Sequence, residues 1–513
     1  MGLFSWLGFG AKRSYAAAVN TRNTTWRDSG LSATSEVGAA ALTVARRARE
    51  AVRNNPYGAR IVDLWAGNVV GPGITTTWRD APHADAWRKW ATGLDCDAEG
   101  HLNYAAMQAL IMRGVVESGE VFIRFLYGPV SPANPVGLRL AVLESDFLDT
   151  TKNGILAGER TVQGIGLDAD GRPVAYWLYR EHPGNAYLLG ARSLESVRVP
   201  ATDVMHVYRK RRPGQLRDVS WLAPVLMHLR DLAEYESALL QKAKIEACLA
   251  GAVTDDTEGV IGSAGGEGAG ADGLFRDARG NVVETLEPGL LLYRRTNGAG
   301  SSFEAINPSS SGAHVSLAKR ALEAAAVGTG LTYDQVSGDL TQANYSSLRA
   351  GKIEFRRLCE QIQYGMMIPM LVARTAARFH QQGAMLGLWP ADMPEGVEHV
   401  PPPHEMIDPL KDTNALIAQV RAGFVPQSEA VASFGNTMAE MVERYRTDNA
   451  MLDDAGIALD TDPRRVAKSG TAQDAAQLAA IEIAATGAAL PQTPDGGARP
   501  GRAHDDRRRG PHR

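Results

Sequence analysis

Cysteine is almost missing from this chain: three residues in 513, at Cys96, Cys248 and Cys359. They stand apart with no CxxC pair, which argues against a disulfide framework or a cysteine zinc site and points to a reducing compartment. Long apolar runs are missing as well. No stretch approaches the roughly 20 residues of a membrane span. The opening MGLFSWLGFGAKRS carries its cations after its short apolar run, whereas a secretory signal carries them before. Trp6 stands where a myristoylation signal wants Ser or Thr. These absences read as a protein of the cytoplasm with no membrane partner. A dominant charge is lacking too. Lys and Arg number 54 against 58 Asp and Glu, a formal net charge of -4, so the molecule as a whole is no general trap for nucleic acid.

Catalytic signatures are also absent. AGKIE (350–354) has the Gly-Lys pair of a P-loop but lacks the earlier glycine and the following hydroxyl. GSAGGEGAGADG (262–273) is glycine-rich, but Glu267 and Asp272 would repel a phosphate, so it reads as a loop. His404-Glu405 has no second histidine after it, and no GxSxG elbow occurs. Asp168, Asp170 and Gly171 imitate part of a calcium loop without its closing glutamate, and read as a hairpin turn. His83, His101, His182, His206 and His228 are scattered and read as surface or satisfied core residues. The expectation is no catalytic residue, no cofactor and no metal. A metal-dependent nuclease or other enzyme is the alternative.

What is present is organised around 332–358, TYDQVSGDLTQANYSSLRAGKIEFRRL. The spacing predicts a polar loop over 332–344. It holds Asp334, Gln335, Ser337, Gly338, Asp339, Thr341, Gln342 and Asn344, and no Lys or Arg. From Ser346 the pattern turns helical, with Leu348, Phe355, Leu358, Ile362 and Met366 in register and Asn344 or Ser346 as the cap. Pro369 should bend that helix. Upstream, a helix from Pro224 to Ala250 shows a stripe of Leu226, Leu229, Ala233, Leu240, Ala243 and Ala247. Arg46, Arg47, Arg49 and Arg53 cluster on another helix, read as a solvated face or a bridge to a neighbouring subunit. Trp87 and Trp90 share a helix face and read as core or interface. At 513 residues the chain should hold several packed units, or one unit elaborated for assembly, α+β in class.

Three runs carry a resemblance: NNPYGARIVDLWAGNVVGPGI, PGQLRDVSWLAPVLMHLRDLAEYE and SGDLTQANYSSLRAGKIEFRR. Over roughly residues 40–460 the chain resembles the lambda family of phage portal proteins. The resemblance implies an α+β ring subunit. Its expected parts are a flexible arm (1–35), a mixed wing (36–215), a first stem helix (216–251) and a β-rich clip (252–312). A second stem helix (313–331), a tunnel loop (332–344), a long kinked helix (345–383), a helical crown (384–460) and a largely disordered tail (461–513) with Arg507, Arg508 and Arg509 complete it. It further implies a ring of twelve copies at one capsid vertex, assembled in the host cytoplasm and carried into the virion. Implied partners are double-stranded DNA without sequence preference, the terminase large subunit, the head–tail connector, and the major capsid and scaffold proteins. The polar loop would line the DNA channel. The stem stripe would pack between subunits, and Lys352, Arg356 and Arg357 would pair with a neighbour's acidic residues.

Overall fold

The computed structural model describes residues 29–185, 195–255, 290–295, 302–304, 313–341, 345–390, 396–403, 406, 408–457, 459, 462 and 464. They fall in two compact units, Met1–Met438 and Ala439–Arg513.

The first unit opens with two helices joined at Asn55. Helix α1 (Ala33–Asn54) is capped by Ser32 and buries Ala41, Ala45, Ala48 and Ala51. Small residues at these steps let neighbouring backbones come close. Helix α2 (Pro56–Val69) starts on Pro56, with the Asn55 side chain accepting from the amides of Tyr57 and Gly58. Gly58 eases the approach, since a Cβ there would lie a tight 3.0 Å from the Ala51 carbonyl oxygen. Strand β1 (Thr75–Trp78), α3 (Ala81–Thr92) and α4 (Tyr104–Ser118) follow. Trp87 and Trp90 are buried in an aromatic cluster with Tyr104, as their spacing predicted.

Two sheets complete this region. β2 (Glu120–Tyr127) lies between β3 (Leu138–Leu143) and β9 (Val204–Tyr208), all antiparallel. β4 (Gly154–Leu156), β5 (Glu159–Val162), β6 (Ile165–Leu167), β7 (Pro173–Tyr179) and β8 (Ser196–Pro200) form a five-stranded meander. The Asp168–Gly171 turn joins β6 to β7: Asp168 Oδ1 accepts from the amides of Asp170 and Arg172, which confirms the hairpin. Phe122, Leu148, Ile165, Tyr176 and Leu178 form a satellite core beneath it.

Helix α5 (Leu226–Cys248) leads directly into β10 (Leu249–Asp255), which lies between β11 (Leu290–Arg295) and β12 (Ser302–Glu304). Helix α6 (Ala313–Thr329) returns from this excursion. A short helix α7 (Tyr333–Ser337) and then α8 (Tyr345–Ile362) follow. Gln363–Val372 winds as a π-helix around Pro369 and continues as α9 (Ala373–Met385). Proline withholds one backbone donor, and the wider winding absorbs the gap: the amide of Ala373 donates five residues back, to Ile368. β13 (Val397–Val400) returns to pair antiparallel with β1 across more than three hundred positions of chain, a pairing no local pattern announces. α10 (Pro409–Arg421) and α11 (Gln427–Ala432) follow. The second unit holds most of α12 (Met438–Asp454), whose Asp453 pairs with Arg464 at 3.3 Å. No helix among the described residues is long and apolar enough to cross a membrane.

Candidate functional site

The polar stretch after α6 is not a loop throughout. Thr332 and Gln335 form a capping box, and α7 occupies Tyr333–Ser337. Its first turn leaves backbone donors without partners, and the Gln335 carboxamide oxygen accepts from the Thr332 amide at 3.0 Å. Val336 is buried beneath the turn. Gly338 ends it in the left-handed region, at φ 73°, a conformation that costs glycine least. Gln335 is therefore committed to its own helix instead of facing outward. Ser337 does likewise, its hydroxyl donating to the Tyr333 carbonyl at 2.8 Å.

Asp339 stands beyond Gly338, fully exposed. Its Oδ1 accepts from the Thr341 amide at 3.0 Å and from the Thr341 hydroxyl at 2.6 Å, and Tyr333 donates to Oδ2 at 3.4 Å. The Thr341 hydroxyl and amide, with Tyr333 and the charge of Lys319, hold this carboxyl below the usual carboxylate range. It stays ionised at any physiological pH. Asp334 lies in the first turn of α7, where a carboxylate suits the helix dipole. Gln342 and Asn344, and with them the proposed Asn344 cap of α8, lie outside the described residues.

The expectation of a cation-free segment needs correction. The stretch has no Lys or Arg of its own, but two arrive from other elements. The Lys319 ammonium sits 5.4 Å from the centre of the Tyr333 ring. Arg60 Nε donates to the Gln335 carbonyl at 3.1 Å. Both were missed, because nothing local to either residue marks a partner so distant in the chain.

Arg60 belongs to α2, which serves as a clamp. Asn55 caps α2 and also donates its amide to the Leu229 carbonyl on α5 at 3.1 Å. Tyr57 donates to Glu236 on α5 at 3.4 Å. The Trp65 indole donates to the Thr329 carbonyl, at the end of α6, at 3.1 Å. Its ring meets Phe355 of α8 edge-on at 5.2 Å and Trp221 at 5.0 Å. One helix thus holds α5, the end of α6, the α7 segment and α8. The NNPYGARIVDLW run supplies Asn55, Tyr57, Arg60 and Trp65 for that purpose.

The chain segment leading into α5 is held by a buried polar network around Arg217 and Asp218. Arg217 Nε donates to Glu120 Oε1 at 2.8 Å, and His206 Nε2 lies 3.0 Å from Glu120 Oε2. Burial alone would raise the Glu120 carboxyl, but Arg217 and His206 outweigh it and hold it low. Burial also lowers His206, keeping it neutral. Gln215 ties the turn, accepting from the Arg211 and Arg212 amides and donating to the Arg217 carbonyl and Asp218. Burial pushes Asp218 up to about 6, against the pull of Arg211.

The stem stripe divides. Leu229 is 1% exposed and Leu226 packs against the same core, so these two belong to the subunit's own interior, a correction to their intersubunit reading. The cause is the packing of the start of α5 against α6 and α1. Further along, Ala233, Leu240 and Ala243 are exposed, Leu240 at 58%. The Ala247 side chain lies outside the described residues. On α8, Lys352 and Arg357 are exposed and Arg356 is half-buried. In the arginine cluster, Arg49 pairs within this chain with Asp146 at 2.6 Å and Glu144 at 3.0 Å, instead of reaching a neighbouring subunit. Arg46, Arg47 and Arg53 are exposed.

Of the described histidines, His83, His206 and His380 are buried, His83 lying 3.0 Å from His380. Glu144, Asp146 and His182 are the one trio among the described residues with ligand atoms within 4.8 Å of one another. Its two carboxylates are already claimed by Arg49.

Residues 20–363 match the family described as phage portal protein, lambda family. The chain is similar to a probable portal protein of Halomonas phage phiHAP-1, at 29% identity over 394 residues, 73% of each sequence. Among solved structures it is similar to a chain from the neck of a native gene transfer agent particle computed with C12 symmetry. That likeness has 19% identity, a TM-score of 0.43, and covers 77% of this chain and 93% of that one. A chain from the neck of an empty particle, computed with C6 symmetry, gives the same values.

Proposed function

The chain belongs to the lambda family of phage portal proteins, and from that premise we propose that twelve copies close into a ring at one vertex of the capsid. Double-stranded DNA passes through the ring during packaging and ejection. The strands following α5 dock the terminase large subunit and later the head–tail connector, while the outer surface meets the major capsid and scaffold proteins. Family membership is that of a structural protein, and the reading assigns no catalysis to it. No observation favours the nuclease alternative.

The observation that carries the channel reading is Asp339: exposed, ionised, and fixed by Thr341 and Tyr333 in a segment that Lys319 and Arg60 contact. A channel lined by cations would neutralise phosphates and grip DNA in a salt-dependent trap. In this reading Asp339 faces the bore, while Lys319 and Arg60 are engaged with Tyr333 and Gln335. The duplex is repelled from the wall, centred, and free to slide. Asp334 reinforces the repulsion, and Thr341 with Gln342 and Asn344 supplies weak, exchangeable hydrogen bonds. Asp339→Lys tests this. Ring assembly should persist while packaging or retention of DNA falls; unaffected packaging in an otherwise identical particle would refute the assignment.

A further inference from the structure

Three histidines meet where β13 returns to β1. His83 of α3 and His380 of α9 are both buried and face each other, Nε2 to Nδ1, at 3.0 Å. His399 of β13 is half-buried, its Nδ1 3.1 Å from the Thr76 hydroxyl of β1. Trp389 closes the same junction. Its ring lies 4.0 Å from that of His83, and its indole donates to the His380 carbonyl at 2.9 Å. Trp78 of β1 stacks on His83 at 5.0 Å. The Arg79 amide donates to the Gly396 carbonyl at 2.9 Å, beside the paired residues of β1 and β13.

Two imidazoles at this distance share one N–H between them. His83 Nδ1 is buried and has no partner. A proton added to His83 would therefore leave a charge without water and an N–H without an acceptor. The Trp78 and Trp389 faces would attract an imidazolium. Burial, and after it His380, nevertheless outweighs the pull of Asp80 and holds His83 below its ordinary 6.5. Burial lowers His399 as well. The remaining charges of the packed elements are engaged elsewhere or face solvent. Asp85, Arg88 and Lys89 of α3 pair with one another. Arg374 and Arg378 of α9 are held at residues 201–204. Arg79 and Glu398 are exposed.

We propose that this junction is an acid-sensitive latch. Neutral imidazoles at His83, set against His380, and at His399, set against Thr76, hold Trp389 and β13 to β1, α3 and α9. Protonation of His83 and His399 releases that return strand, on the chain's path to α10. The folded junction keeps both rings neutral, whereas the opened one takes up protons from about pH 6.5 downward. The latch is therefore at full strength above that pH and is lost as pH falls below it.

Hydrogen exchange of the full-length chain, followed by mass spectrometry at pH 7 and pH 5, tests this. After correction for the intrinsic pH dependence of exchange, protection over 75–80 and 396–400 should fall about tenfold or more, while 154–167 in the meander keeps its own. His83→Gln combined with His399→Gln retains polar groups but cannot titrate in this range, and should flatten the fall to about threefold or less. Unchanged protection at the junction overturns the latch. So does an equal fall in the meander, or an undiminished fall in the double variant. If the double variant does not fold at pH 7, the half-buried His399→Gln alone should reduce the fall about threefold, and an undiminished fall there overturns the latch equally.

Discussion

Replacing Trp65 by phenylalanine separates the clamp reading of α2 from simple core packing. Trp65 is buried, and its indole nitrogen is the donor to the Thr329 carbonyl where α6 ends. Phenylalanine keeps a ring near Phe355 and Trp221 but strips that acceptor of its partner. A buried acceptor left alone costs about 1–3 kcal/mol. The two edge-on contacts, worth about 0.5–1.5 kcal/mol each, are retained in part. The loss should be local, felt at the α6–α7 junction, because the β4–β8 meander has its own core. Hydrogen exchange followed by mass spectrometry reads this directly. A local loss of about 1–3 kcal/mol speeds exchange by about 5–150-fold over residues 326–341, with peptides from 154–179 unchanged. Equal acceleration in both regions, or none in either, would refute the idea that Trp65 positions the segment.

The remaining predictions concern α5 and its root. Glu120→Gln leaves Arg217 buried without its countercharge, and should cost roughly 3–5 kcal/mol in urea unfolding. Asp218 binds its proton in the folded state up to about 6, against an ordinary 3.8. Between those values the folded state therefore holds more proton than the unfolded one, and stability from this group rises as pH falls. Asp218→Asn abolishes that gain, so unmodified protein should improve relative to the variant between pH 6 and pH 4, read from urea midpoints. Leu229→Ala should cost about 2–5 kcal/mol by cavity formation. Leu240→Ala, at an exposed position, should leave the thermal melt within about 0.5 kcal/mol of the parent while weakening assembly.

Much of this architecture was readable because its signals are local. Apolar spacing located α5 and α8, Pro369 located the interruption of the last, and Asp170-Gly171 located its hairpin. The turn at Tyr333–Ser337 was hidden by its polar composition. Only the reciprocal bond between Thr332 and Gln335 makes a helix of it, and Thr-x-x-Gln, the spacing of a capping box, was available as a clue. The β1–β13 pairing and the α2 clamp depend on contacts between residues far apart in the chain. Asn55 reaches Leu229, and Arg60 reaches Gln335, with no periodicity to betray either. Leu229 and Leu240 share one apolar stripe, and only the packing of α6 and α1 against the start of α5 tells them apart.

The most direct measurement is a reconstruction of the assembled particle by electron cryomicroscopy, with the distance of Asp339 from the symmetry axis as its readout. The account predicts a closed ring whose inner wall is nearest the axis at residues 332–341, with Lys319 and Arg60 behind them. A ring in which those residues face the outer rim, with some other element at the constriction, would contradict it.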